Sequence, residues 1–276
     1  MKYLPTESYQ ARDGEELFFR YYPAQSNKVM ILLHGISEDS KYLLPLATFV
    51  SKENLAHVYT PDLRGHGEQP RIRGDINYIG QHEDDLFDLI TVIREKHYNA
   101  AIIIAGHSAG GGTALRFASS KYKRAFDALL LLAPFIHPSA PTIRKSNENS
   151  NGEAYISRLV TLFLLNSIRI RTFNHWIVYT SHKPEEDRHG TETPEISFRL
   201  FISRYPNNYK KALRAIKDPT LVIVGEDDEE FNGQEFEPLF RQTRADTKIV
   251  ASATHDGILS NQETYSLLKE WFSRVN

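Results

Sequence analysis

The apolar run Ala101-Ile102-Ile103-Ile104-Ala105 leads straight into Gly106-His107-Ser108-Ala109-Gly110, and Gly111-Gly112-Thr113-Ala114-Leu115 follows without a break. A strand, a sharp glycine-flanked turn carrying a serine, and then a helix is a demanding combination of elements. The turn is tight, so a side chain at either flank would collide with the adjoining strand or helix. It also holds the serine hydroxyl out at the carboxyl end of the sheet that the strand joins, with a helix N-terminus beneath it. Such a turn needs parallel strands around it.

The remaining apolar runs supply them. Residues 28–34, 56–60, 101–106, 128–133, 220–225 and 247–251 do not alternate with polar residues, which predicts buried strands. Helical patterns at 41–52, 80–96, 111–121 and 207–217 lie between them. A last helix at 261–275 puts Tyr265, Leu268, Trp271 and Phe272 on one stripe. Residues 16–22 are expected to form an antiparallel edge strand paired with 7–10. The fold class expected is α/β, with a doubly wound, mostly parallel sheet.

One stretch breaks the alternation. Residues 137–205 begin loop-like, with Pro138, Pro141 and the Asn- and Ser-rich 146–152, then become an apolar helix over 153–170. Strand character resumes only at Thr220. This predicts a helical cap insertion over the strand C-termini, where open α/β sheets bind ligands; the alternative is an elaboration packed on the flank of the sheet. The expected domains are 1–136 with 206–276 as the core and 137–205 as the cap. Ile156, Leu159, Val160, Phe163, Leu164 and Ile168 are expected chiefly to pack the cap onto the domain below. Lining a pocket or touching a lipid surface are the other uses of such a stripe.

Composition narrows the partners. A chain of 276 residues can bury a large core. A net charge of −2 gives no electrostatic reason to expect nucleic acid or an anionic membrane. With zero cysteines the chain has no disulfide or thiolate metal site, which fits a reducing compartment. Residues 1–10 carry one lysine and no apolar core, so no secretory signal is expected. The stretch 156–170 is broken by Arg158, Asn166 and Arg169, too short and polar to cross a bilayer. A cytoplasmic location is expected. No cofactor is expected either: no histidine pair shows metal-ligand spacing with nearby carboxylates, and the turn lacks the Lys-Ser/Thr of a phosphate loop.

A serine hydroxyl is a weak nucleophile at neutral pH and needs a general base, usually a histidine oriented by a carboxylate. His255, in Thr254-His255-Asp256-Gly257 after the last strand, is the only histidine beyond His189. The strand 220–224 ends in Gly225-Glu226-Asp227-Asp228, and one of these three carboxylates is expected to turn inward while the run through Glu229 and Glu230 stays solvated. Acyl transfer also needs two donors aimed at the developing oxyanion. The backbone N–H groups of Ala109 and of Ile36, in His34-Gly35-Ile36-Ser37, are the candidates.

Together, His34-Gly35-Ile36 with Glu38, Asp62-Leu63-Arg64-Gly65-His66-Gly67, Gly106 to Gly110, Gly225 with Asp228, and His255-Asp256 resemble the α/β-hydrolase superfamily. They resemble more narrowly its branch of monoacylglycerol-lipase-like, lysophospholipase-like and serine-aminopeptidase-like enzymes. The resemblance spans nearly the whole chain except the cap. It implies Ser108 as nucleophile, Asp228 as acid and His255 as base, in the chain order of that superfamily. It implies Ile36 and Ala109 as oxyanion donors, and it favours Asp228 over Asp227 because the acid stands three residues after the strand-end glycine. The Asp62 to Gly67 stretch is expected to shape the site wall, with His66 structural rather than catalytic. The expected activity is hydrolysis of carboxylic esters (acyl ester, monoacylglycerol or lysophospholipid-like substrates) through an acyl-enzyme intermediate. The alternatives are an aminopeptidase or amidase, which would bind an ammonium through Glu153, Glu185, Glu186, Asp187 or Glu195, and a catalytically silent binding protein.

Overall fold

A computed structural model describes residues 3–144 and 152–275. Its strands in chain order are β1 (Thr6–Gln10), β2 (Glu16–Tyr22), β3 (Lys28–Leu33), β4 (His57–Pro61), β5 (Ala101–His107), β6 (Ala128–Leu132), β7 (Gly152–Ala154), β8 (Ile177–Ser181), β9 (Glu195–Ser197), β10 (Thr220–Gly225) and β11 (Ala245–Val250). The helices are α1 (Leu44–Lys52), α2 (Gln81–Lys96), α3 (Ala109–Ala118), α4 (Ile156–Ser167), α5 (Phe198–Ser203), α6 (Tyr209–Ala215), α7 (Phe236–Phe240) and α8 (Gln262–Phe272).

Eight strands form one sheet in the order β1-β2-β4-β3-β5-β6-β10-β11. β1 pairs antiparallel with β2, from Thr6 opposite Arg20 to Gln10 opposite Glu16, and β2 pairs antiparallel with β4. All other pairs in this sheet are parallel. The continuous apolar runs of β3, β5, β6 and β10 are buried almost throughout because helices cover both faces. β11 departs from that expectation. It closes the sheet edge, and most of its residues stay half-buried.

The segment between β6 and β10 holds the apolar helix expected there, as α4, but it is not helical throughout. The helix expected over 153–170 starts later, because Gly152–Ala154 form strand β7, which joins β8 and β9 in a separate three-stranded antiparallel sheet. Leu162, Val178, Ile196 and Phe198 give this segment its own small buried cluster. Each such side chain removed from water contributes roughly 1.5–3 kcal/mol. Of the Asn- and Ser-rich stretch expected as loop, residues 146–151 lie outside the described residues.

The apolar stripe of α4 behaves differently from its expected packing role. Leu159 and Leu162 are buried, yet Ile156, Leu164 and Ile168 are 66%, 64% and 66% exposed, and Val160 and Phe163 are exposed too. No helix among the described residues is long and apolar enough to cross a membrane.

Candidate active site

The loops that follow the parallel strands meet at one end of the sheet. Between β5 and α3, Ser108 adopts φ 53° and ψ −121°, a left-handed backbone that non-glycine residues rarely enter. Its N–H donates to the Leu132 carbonyl at 3.0 Å, and its own carbonyl accepts from Phe135 N–H at 2.8 Å. The turn is thereby pinned to β6. Its glycines are dictated by contact: a Cβ on Gly106 would lie 2.3 Å from the Gly110 backbone, and one on Gly110 would lie 2.3 Å from the Leu33 carbonyl oxygen. Gly111 and Gly112 are equally confined, by Pro134 and the Phe135 carbonyl. Close packing of α3 on the sheet outweighs the poor helix propensity of three consecutive glycines.

Asp228 and His255 face each other across the loops after β10 and β11. His255 Nδ1–H donates to Asp228 Oδ2 at 2.9 Å, and Asp228 is completely buried. Asp228 Oδ1 accepts from the N–H groups of Glu230 at 2.9 Å and Phe231 at 2.8 Å, so the carboxylate loses water without losing partners. Burial alone would lower the His255 pKa. The hydrogen bond and charge of Asp228, with Asp256 and Glu230 behind, more than offset it and raise the imidazole above its ordinary value. Of the three adjacent carboxylates, Glu226 and Asp227 are exposed. Glu229, expected as a solvated member of the run, accepts from the His255 N–H at 2.9 Å and steadies that loop.

Ser108 lines two adjoining cavities. The larger, of about 540 Å³, also takes in Gly35, Glu38, Tyr42, Lys183, His255 and Asp256. The smaller, of about 210 Å³, is lined by Ala109, Phe135, Ile143, Phe201, Arg204 and Phe231. Ile36, Tyr179 and Glu230 border both. Among the described residues, neither the Ile36 N–H nor the Ala109 N–H donates to a protein acceptor, so both donors stand available beside Ser108. Gly35 approaches the turn closely: a Cβ there would lie 3.5 Å from Ser108 Cβ and 4.0 Å from its Oγ.

Several residues at this end of the molecule had no role of their own assigned from the sequence. His107, fully buried, donates from Nε2–H to the His255 carbonyl at 3.0 Å, and its Nδ1 faces the Tyr42 hydroxyl. Tyr42 in turn donates to Asp256 Oδ1 at 2.9 Å. Burial, with the charge of His255, lowers the His107 pKa to about 4 and keeps the ring neutral. His107, His255 and Asp256 bring potential metal-ligand atoms within 4.8 Å of one another, a grouping no sequence spacing announced. Nε2 of His107 is already engaged there, by the His255 carbonyl. Across the larger cavity, Lys183 Nζ lies 2.8 Å from Glu38 Oε1, joining the segment after β8 to the loop after β3. Burial pushes the Glu38 carboxyl up to about 7, against the opposing pull of Lys183.

The Asp62 to Gly67 loop packs beside the site. His34 Nδ1–H donates to the Gly35 carbonyl at 2.9 Å and its Nε2 accepts from Leu63 N–H at 3.0 Å. His66 is buried and borders neither cavity. The carboxylates considered for binding an ammonium do not reach the cavities: Glu153, Glu185, Glu186 and Glu195 are exposed, and the side chain of Asp187 lies outside the described residues. The carboxylates that do line them are Glu38, Glu230 and Asp256.

The family described as serine aminopeptidase, S33, matches residues 24–260. An uncharacterised protein of Mycobacterium tuberculosis is 29% identical over 129 residues, a match that covers 47% of this chain and 35% of that protein. The match therefore spans about a third of the length of the curated relatives. A monoglyceride lipase of Saccharomyces cerevisiae, solved with a substrate analogue, superposes with a TM-score of 0.77 at 18% identity, covering 100% of this chain and 96% of that one. A thermophilic esterase of Thermogutta terrifontis gives 0.66 at 20% identity, with 98% and 99% covered. At such identities the likeness to these structures is one of fold.

Proposed function

Because this chain belongs to the serine aminopeptidase S33 family of α/β hydrolases, we propose that it is a serine hydrolase that cleaves small carboxylic esters through an acyl-enzyme intermediate. The observation that carries this reading is the 2.9 Å contact of His255 Nδ1 with the buried Asp228, in a loop that lines the same cavity as Ser108. Asp228 accepts the Nδ1–H, which leaves Nε2 as the free lone pair of a neutral imidazole. Ser108 Oγ attacks the ester carbonyl as His255 Nε2 takes its proton, and the N–H groups of Ile36 and Ala109 receive the oxyanion. The bond to the alcohol then breaks, and His255 returns the proton to the leaving oxygen. Water deacylates the enzyme by the same steps, with His255 as base.

In this reading residues 137–205 are the cap and the remainder is the hydrolase core. Tyr179 and Lys183, from the cap, border the cavities beside Ser108, which supports a role in substrate selection. The test is hydrolysis of short p-nitrophenyl esters by the parent and by Ser108→Ala, with fluorophosphonate labelling of Ser108 alongside. Loss of turnover by several orders of magnitude is expected. Undiminished turnover by the variant would sink the assignment, and no labelling at all would favour a silent binding protein.

Amide hydrolysis is the second reading, favoured by Glu38, Glu230 and Asp256 around the larger cavity. Carboxylates there suit a substrate ammonium. Faster turnover of amino-acid anilides than of acyl esters would establish it.

A further inference from the structure

Four arginines are deeply buried among the described residues: Arg20, Arg64, Arg116 and Arg204. Three have carboxylate partners. Arg20 meets Glu68 at 3.0 Å, Arg64 meets Asp85 at 2.7 Å, and Arg116 meets Glu83 at 2.7 Å. Arg204 is 4% exposed and has no carboxylate within ion-pair distance among the described residues. Its Nε–H is buried with no acceptor among the described residues. Its Cζ lies 4.6 Å from the centroid of the Phe201 ring, and Tyr179 and Tyr205 are close enough to act on its charge. A cation–π contact offsets only part of what burial takes from a guanidinium.

The direction of Arg204 gives this a meaning. It follows α5, at the end of the segment that covers the site, and lines the smaller cavity with Ser108 and Ala109. Its position is tightly set, because a Cβ on Gly112 of α3 would lie 2.4 Å from the Arg204 carbonyl oxygen. Burial lowers its pKa to about 10, so it remains charged at neutral pH. Glu230 borders the same cavity, and burial raises its carboxyl above the ordinary range.

Which half of an ester enters that cavity follows from the proton. His255 must hand its proton to the leaving alcohol, and His255 lines the larger cavity but not the smaller. The alcohol therefore leaves on the larger side, and the acyl group lies on the smaller, beside Arg204. The smaller cavity, of about 210 Å³ against about 540 Å³ for the larger, suits the shorter half of the ester. The walls next to Ser108 are apolar, with Phe135, Ile143 and Phe231, and the charged groups in the lining are Arg204 and Glu230.

Resting on the ester-hydrolase reading of Ser108 and His255, we propose that Arg204 is an anion subsite for the acyl half of the substrate, so that the enzyme takes short acyl groups ending in a carboxylate: monoesters of small dicarboxylic acids. A planar carboxylate would supply two oxygens to the guanidinium fork, in the geometry that arginine binds best. The apolar walls would hold the intervening methylenes, and the ester carbonyl would reach Ser108 Oγ.

The experiment compares mono-p-nitrophenyl glutarate with p-nitrophenyl valerate, each corrected for spontaneous hydrolysis, in the parent and in Arg204→Met. The parent is expected to prefer the glutarate in kcat/KM by about 10- to 100-fold. In the variant that ratio should fall to about one or below. Should the variant fail to fold, the parent's ranking and competitive inhibition of valerate hydrolysis by free glutarate carry the test. Equal turnover of the two esters by the parent, with Ser108 still required, overturns the anion subsite and leaves the ester reading standing. Failure of both esters together with absence of fluorophosphonate labelling overturns the ester reading, and the subsite with it.

Discussion

His107 Nε2 lies 3.0 Å from the carbonyl oxygen of His255, so the residue before the nucleophile candidate holds the backbone of the residue proposed as its base. The two arrive from different strands, β5 and β11, and this bond ties their loops together. His107→Leu removes the donor and leaves the His255 carbonyl and the Tyr42 hydroxyl short of a partner. A loss of kcat/KM of about 10²-fold is expected, because a displacement of the base by about 1 Å has that effect. Ser108 should still label with a fluorophosphonate, though more slowly. Unchanged kinetics in a folded variant would show that the loop is held by other contacts.

Asp228→Asn should be the more damaging change. The amide presents a donor or a weaker acceptor to Nδ1, so the imidazole loses the tautomer that leaves Nε2 free. A fall in kcat of roughly 10⁴-fold is expected, with the glycine-rich turn and its labelling site intact. Asp227→Asn serves as the control and should change turnover by less than about twofold, since that side chain is exposed.

The pH profile should report His255. Attack needs the neutral imidazole, and Asp228 raises its pKa above the ordinary 6.5 against the effect of burial. The limb of kcat/KM that rises with pH should therefore have its midpoint above 6.5. A midpoint clearly below that value would contradict the electrostatics described for the pair.

Glu38 should make stability depend on pH in the opposite sense from most carboxylates. Its folded pKa of about 7 lies above the ordinary 4.5, so folding favours the protonated form between those values. The contribution is fully present below about 4.5 and is lost as pH rises through about 7. Glu38→Gln should then gain on the parent in Tm as pH increases across that window. A difference in Tm that stays constant from pH 5 to 8 would refute the raised carboxyl.

Gly110→Ala tests the packing under the turn. The added Cβ would meet the Leu33 carbonyl oxygen at 2.3 Å and that of His34 at 2.5 Å, both backbone atoms that cannot rotate away. Destabilisation of about 1–3 kcal/mol or more is expected, with weaker labelling of Ser108 as the turn shifts. Thermal unfolding of the two proteins measures it.

The sheet was legible because burial leaves its mark locally. β3, β5, β6 and β10 are covered on both faces, and each is written as an unbroken apolar run. β11 read the same way although it is an edge strand, since a short apolar run does not say how many neighbours it has. The cap was harder. β7, β8 and β9 are three to five residues long and pair only with each other, so no period of two develops in their sequence. The stripe on α4 has helical spacing, but spacing alone does not reveal that much of it faces outward.

By itself the sequence determined the serine turn, the parallel sheet around it, and the loops that carry Asp228 and His255, because strand runs, glycine contacts and chain order are local properties. Tertiary structure turned Asp228 inward and left Glu226 and Asp227 exposed, the choice that the resemblance favoured and that no local property of the run made. It also placed His107 under the His255 loop, brought Glu38 to Lys183, and left Arg204, beside Ser108, without an ion pair among the described residues. Those relationships join residues from 27 to 148 positions apart. Burial and pairing at that range depend on how distant segments fold over one another, and no window along the chain records it.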